Sequence, residues 1–263
     1  MECMCTMRND GRKVIGVVGG VGPYAGLDLN QRIYANTRIT REQDHLQVFL
    51  LSCPSLIADR TEYLLHPDTD VNPGDAIYEV VEKLARIGAQ VIGVPCNTSH
   101  AAPIFDVVER RVREAGLRVN LLHMIREVYR HVRRTFPEAR RIGLLATSGT
   151  CHSGIYRDIF AEEGKLEILV PPAAEQVKVH AAIYDPGYGI KCHPNPISRQ
   201  ASGDLTLAAQ HLVAAGAEGV IMGCTEIPLA LRPAKLPVPL IDATLVLARA
   251  LIEAADPSAL LPA

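Results

Sequence analysis

The sequence predicts an α/β fold: two pseudo-symmetric domains of parallel-sheet βαβ architecture, with an active site in the interdomain cleft. Three observations predict it. Short β-rich runs alternate with segments of helical period along the 263 residues, the pattern that a parallel sheet covered by helices on both faces requires. The halves open alike, with Val14-Ile15-Gly16-Val17-Val18 and Arg141-Ile142-Gly143-Leu144-Leu145, and Ile142 follows Ile15 by 127 residues. Each half also carries an apolar run ending in a cysteine and a Thr-containing turn. These are Val91-Ile92-Gly93-Val94-Pro95-Cys96-Asn97-Thr98 and Val220-Ile221-Met222-Gly223-Cys224-Thr225-Glu226, with the two cysteines 128 residues apart.

Strands are expected at 14–18, 47–52, 90–95, 118–122, 141–146, 166–170, 218–223 and 238–241. Between them, apolar residues recur at helical spacing. Ile77, Val80, Val81, Leu84 and Ile87 form one stripe. Ile125, Val128, Tyr129, Val132 and Phe136 form a second, and Leu205, Ala208, Ala209 and Leu212 a third. Gly88 and Gly216 then stop two of these helices just before a strand, as a C-terminal cap does. The expected division is an N-terminal domain over 13–121, completed by a C-terminal segment at about 238–260, and a second domain over 122–237. Residues 1–12 read as a flexible tail. The stretch 185–198 holds Pro186, Gly187, Gly189, Pro194 and Pro196. It reads as a loop or lid without regular structure.

Composition bounds the function. A net charge of −2 provides no basic face for nucleic acid or an anionic membrane. No apolar run approaches the roughly 18 residues of a membrane span, and the polar start lacks a signal-peptide core. Seven cysteines without framework spacing predict a reducing, cytoplasmic setting. Cys3 and Cys5 in the tail have no second ligand pair at finger-like spacing, so no metal site is expected there. The dipeptides Cys151-His152 and Cys192-His193 lack metal-ligand spacing too. His100, His123 and His180 read as capping or core histidines.

The chemistry concentrates at Cys96 and Cys224. Ligands of an open parallel sheet bind beyond the carboxyl ends of its strands, where both thiols fall. Thr98 and Thr225 read as helix N-caps, and a thiol at a helix start is expected to have a lowered pKa. A lone cysteine after a strand is more often a small buried apolar residue; two at matched positions of a repeat point instead to facing acid and base groups, as inversion at carbon requires. After the first strand, the backbone of Gly20, Val21 and Gly22 can cradle an anion. The run Gly20-Val21-Gly22-Pro23-Tyr24-Ala25 also fits a dinucleotide fingerprint, but no acidic residue follows the second strand to hold a ribose. In Asp59-Arg60-Thr61 the guanidinium can grip a carboxylate.

At these residues the chain resembles the aspartate/glutamate racemase family, the amino-acid racemases that work without pyridoxal phosphate. The resemblance spans about residues 13–255. It is strongest at Pro95-Cys96-Asn97-Thr98-Ser99-His100 and Gly223-Cys224-Thr225-Glu226-Ile227-Pro228. Gly19-Gly20-Val21-Gly22-Pro23, Asp59-Arg60-Thr61, His123-Met124-Ile125 and the segment from Gly143 to Thr150, with Thr147, support it. It implies a homodimer, no cofactor, and Cys96 and Cys224 as the two catalytic bases. It implies that Asn97, Thr98 and Thr225 hold the α-carboxylate and amino group of an amino-acid substrate, and that Arg60 and Lys191 grip a side-chain carboxylate. Ser99 and Glu226 join these as substrate-binding residues through their motifs. The expected activity is interconversion of L- and D-aspartate or glutamate by two-base transfer of the Cα proton. Two alternatives stay open: racemisation of a neutral or basic amino acid, and amino-acid binding without catalysis.

Overall fold

Val, Ile and Leu cluster between turn residues at eight places, and each cluster becomes a strand. The computed structural model describes residues 11–66, 68, 71–162, 164, 166–231 and 236–262. Cys3, Cys5 and most of the expected tail lie outside the described residues. Strands β1 (Ile15–Gly19), β2 (Val48–Ser52), β3 (Val91–Gly93) and β4 (Asn120–Leu122) form a parallel sheet in the order β2-β1-β3-β4. Strands β5 (Arg141–Ala146), β6 (Glu167–Leu169), β7 (Val220–Gly223) and β8 (Leu240–Asp242) repeat that order as β6-β5-β7-β8. Register is equivalent as well: Gly16 aligns with Phe49 and Ile92, and Gly143 with Leu169 and Val220. Strands β1 and β7 are buried at every position, because helices cover both faces of each sheet.

The helices of the first half are α1 (Pro23–Ala35), α2 (Arg60–Leu65), α3 (Pro73–Arg86) and α4 (Ala102–Glu114). Those that follow are α5 (Met124–Thr135), α6 (Ser148–Ser153), α7 (Ile155–Glu162), α8 (Ala173–Tyr184), α9 (Arg199–Ala214), α10 (Ile227–Leu231) and α11 (Ala243–Ala255). Helix α3 shows how the sequence encodes them. The Asn72 side chain accepts from the Gly74 N–H and Pro73 occupies the first turn. Ile77, Val80, Val81 and Leu84 face the core. Burying four such side chains stabilises by roughly 6–12 kcal/mol before conformational entropy is subtracted. Gly88, at φ +106°, then turns the chain into β3. Ile87, expected in the apolar stripe, is instead 51% exposed, because the helix ends at Arg86 and the turn carries it outward.

Each half ends the same way. β4 leads through His123, whose ring accepts the Arg126 N–H, into α5; β8 leads through Asp242, whose carboxylate accepts the Thr244 and Leu245 N–H groups, into α11. Helices α5 and α11 pack against each other, and α11 also lies on α1. One apolar cluster therefore runs through both halves, from Ile15 and Leu29 to Val128, Ile142 and Leu247. The 238–260 segment is divided between the two halves, since β8 pairs with β7 in the second sheet while α11 crosses to α1. Residues 185–198 contain turns and no helix or strand. Among the described residues no helix is long and apolar enough to cross a membrane.

Candidate active site

The carboxyl ends of the central strands converge on one cleft. β3 runs into Cys96, β5 into Thr147 and β7 into Gly223-Cys224. The cleft is tightly closed, with a volume of only about 10 Å³. It is lined by Val21, Arg60, Cys96, Asn97, Thr98, Thr147, Tyr184, Lys191, Gly223, Cys224, Thr225 and Glu226. Both cysteines are buried and neither is in a disulfide. Gly20 and Gly22 line an adjoining space rather than the cleft itself. Gly20 has φ +88°, and a Cβ there would lie within 2.7 Å of the Cys53–Pro54 backbone, so the turn after β1 admits only glycine. Ser99 does not line the cleft. It is fully buried in the single turn Thr98–His100, with no partner for its hydroxyl among the described residues.

The two sulfurs sit in opposite electrical settings. Cys224 donates to Glu226 Oε2 at 2.9 Å, and Thr225 Oγ1 donates to the same oxygen at 3.0 Å. The other oxygen, Oε1, accepts from Lys191 Nζ at 2.9 Å. Burial pushes the Glu226 pKa up, but Lys191 and the donated hydrogen bonds outweigh it and hold the carboxyl below its ordinary value. Burial first, and then the Glu226 charge, push the Cys224 thiol well above the ordinary cysteine range. This corrects the expectation of a thiol acidified by a helix start. Helix α10 spans only Ile227–Leu231, and the group nearest the sulfur is an anion. The Thr98 and Thr225 hydroxyls are not caps either, since Thr98 bonds across to Thr150 at 2.8 Å and Thr225 bonds Glu226.

Cys96 faces a cation instead. Burial works against the Arg60 charge, yet the Cys96 sulfur, then Asp59 and Tyr184, hold its pKa above the ordinary arginine value. Asp59 caps α2 by accepting the Thr61 and Glu62 N–H groups, and it also accepts the Tyr184 hydroxyl at 3.0 Å. That cap fixes where Arg60, the first residue of the helix, enters the cleft. On the other side, His100 Nδ1 donates to the Cys96 carbonyl at 2.8 Å. The ring is fully buried, and burial followed by the neighbouring His123 holds its pKa well below normal, so it is neutral and structural.

Two buried donors of the cleft lining stand without an acceptor. Asn97 Nδ2 and Arg60 Nε have no hydrogen-bond partner among the described residues. Orphan buried donors are costly and call for an acceptor. Asn97 is held by Tyr156, whose hydroxyl donates to Asn97 Oδ1 at 2.6 Å; this directs the amide nitrogen the other way. Thr61, Thr98, Thr147 and Thr150 form a hydroxyl cluster at which α2 of the first half meets α6 of the second. Sequence reasoning does not single out Tyr156 and Tyr184, and it names Thr150 only as the end of a supporting segment. Nothing in their spacing shows that these hydroxyls reach the other half of the chain.

The chain matches the family described as Asp/Glu/Hydantoin racemase over residues 18–251. It is 24% identical over 249 residues to the broad specificity amino-acid racemase RacX of Bacillus subtilis, covering 91% of this chain and 96% of that protein. It is 31% identical over 150 residues to the glutamate racemase of Corynebacterium diphtheriae, covering 56% and 49%. The solved structure of the aspartate racemase of Picrophilus torridus superposes with a TM-score of 0.76 at 25% identity, over 92% of this chain and 94% of that one. The match runs from β1 to α11 and takes in both cysteine turns, and the chain belongs to the Asp/Glu/Hydantoin racemase family of isomerases.

Proposed function

We propose that this protein is an amino-acid racemase that needs no cofactor and moves the Cα proton between Cys96 and Cys224. The observation that carries this reading is the pairing of two buried thiols on one cleft in opposite settings. Cys224 is a thiol bonded to a carboxylate, and Cys96 lies beside a guanidinium. In this reading Cys224 enters as the acid and Cys96 as the base, with the Arg60 guanidinium beside Cys96. Cys96 takes the Cα proton as Cys224 delivers its own to the opposite face, and the roles reverse for the mirror isomer. The orphan donors of Asn97 and Arg60 are placed to hold the α-carboxylate and take up the charge that grows as the Cα–H bond breaks. Positioned proton transfer contributes roughly 10²–10⁴-fold, and each such donor roughly 10²–10³-fold. Thr98, Thr147 and Thr225 surround the amino group in this reading.

Aspartate and glutamate are the substrates that the sequence resemblance implies. Of the two cations that the resemblance assigns to a side-chain carboxylate, Lys191 is already neutralised by Glu226, and Arg60, buried on the cleft wall, is the one that the α-carboxylate also needs. The assembly expected from the resemblance is a homodimer, which light scattering of the purified protein checks. The test of the chemistry is proton NMR in D₂O with a panel of amino-acid enantiomers and no added cofactor, alongside a chiral assay. Loss of the Cα proton signal with appearance of the mirror isomer is expected. Cys96→Ala and Cys224→Ala should each abolish inversion, while one-sided exchange can survive. Substantial racemisation by both single variants would refute the two-thiol mechanism.

A further inference from the structure

A second, larger space of about 190 Å³ adjoins the cleft. Arg60, Lys191 and Glu226 line both spaces, so the two meet at these side chains. Beyond them the character changes. Ile57 and Ile190 are buried in the floor, and Tyr24, Pro54, Pro194 and Leu229 make the rim. Tyr24 is 59% exposed at the mouth, a large ring facing the space with little covering it. Gly22 lines this space, and a Cβ there would stand 3.3 Å from Glu226 Oε1, at a φ of +119° that side chains rarely adopt. The Pro/Gly-rich stretch at 185–198 supplies Ile190, Lys191 and Pro194, which gives this segment a place in the site.

We infer that this space receives the substrate side chain, and that the preferred substrate is a neutral amino acid with a long apolar side chain, such as leucine, methionine or phenylalanine. The inference rests on the racemase reading above and names its substrate class. Charge balance points the same way as shape. Lys191 is tied to Glu226 at 2.9 Å, and Arg60 already faces the Cys96 sulfur and Asp59. Arg60 is therefore the one cation left to meet a carboxylate, and it can meet only one. A zwitterion with an uncharged side chain has one carboxylate, whereas aspartate or glutamate brings two and must pull Lys191 away from Glu226. Glu226 also holds the Cys224 proton, so an acidic substrate would disturb the acid that the reaction needs. A side chain lying over Ile57 and Ile190 beneath Tyr24 leaves that pair intact and removes apolar surface from water.

The test is isotope exchange and inversion in D₂O with both enantiomers of alanine, leucine, methionine, phenylalanine, aspartate and glutamate. The expected result is a kcat/KM for leucine, methionine or phenylalanine more than tenfold above that for alanine and above those for both acids, since even one methylene in an apolar pocket is worth roughly 10–200-fold. Leu229→Trp, which fills the half-buried rim, should lower the ratio of phenylalanine to alanine by about tenfold or more. Preference for aspartate or glutamate, or equal rates for alanine and leucine, would overturn the inference while leaving the racemase reading in place. Absence of exchange with all twelve substrates would overturn this inference, and absence with lysine and arginine as well would overturn the racemase reading.

Discussion

Glu226→Gln separates the charge of the buried carboxylate from its shape. The glutamine keeps the size of the side chain and an acceptor oxygen but leaves Lys191 without its counter-ion. Lys191 lies 2.9 Å from Glu226, and the two side chains are 23% and 9% exposed. Removing one partner of a buried ion pair costs about 3–5 kcal/mol. The partial exposure of Lys191 lets water recover some of its charge, which places the loss near the lower end, at about 3 kcal/mol. For a chain of this size that is a drop in Tm of roughly 6–12 °C. The carboxyl is held below its ordinary value in the fold. Its contribution is therefore present above the unfolded carboxylate pKa of about 4.5 and is lost as pH falls through the lower folded value. E226Q should lack that part of the acid destabilisation. The second consequence is chemical. Burial still raises the Cys224 pKa, but the Glu226 anion no longer does, and the freed Lys191 charge pulls it down. Thiolate absorbance near 240 nm, compared between E226Q and the E226Q, C224A double variant, should show Cys224 ionising at lower pH than in the parent. Inversion should fall because the resting acid is lost. An unchanged Tm together with an unchanged thiol titration would refute the reasoning.

The remaining predictions probe the supports of the site. Tyr156→Phe removes the 2.6 Å hydrogen bond to Asn97 and strands a buried carbonyl oxygen, which should cost about 1–3 kcal/mol in stability. It should lower kcat/KM about tenfold or more as the amide loses its aim, and equal kinetics would show that Asn97 needs no support. Gly149→Ala places a Cβ 2.8 Å from the Thr61 backbone and hydroxyl where α6 meets α2; urea denaturation should report a loss of about 1–3 kcal/mol, and a Tm within a degree of the parent would contradict the close approach. His123 is held near pKa 4 against an ordinary value of 6.5, first by burial and then by Arg126. The unfolded chain takes up its proton first, so this contribution is complete above pH 6.5 and falls by about 3 kcal/mol towards pH 4. His123→Asn, which can still cap α5, should flatten the stability profile between pH 7 and 4.5, and a slope as steep as the parent's would count against the assignment.

Much of the fold is legible in the order of the residues, and for a physical reason. A strand covered on both faces must be apolar throughout, so Ile15–Gly19 and Val220–Gly223 stand out as runs. Helices that bury one side must repeat every three or four residues, as Ile77 to Leu84 do. The glycines at 88 and 216 mark turns because few other residues accept a positive φ. The duplication places Cys96 and Cys224 at equivalent strand ends, and in a parallel sheet those ends face the ligand.

Tertiary structure decided what depends on partners distant in the chain. Local sequence gives Cys224 a helix start after it and so an acidified thiol, but Glu226 turns back to the sulfur and Lys191 arrives from the 185–198 loop, which reverses the expectation. Tyr156 reaches Asn97 from 59 positions away, and Tyr184 reaches Asp59 from 125. Helix α11 packs on α1 although β8 pairs with β7, an exchange between halves that no periodicity records. Periodicity and turn chemistry report what a segment does with its own neighbours, and they determined the strands, the helices and the two thiols of this protein. The charge on those thiols and the shape of the space beside them depend on contacts made only when the two halves close on each other, and folding alone decides these.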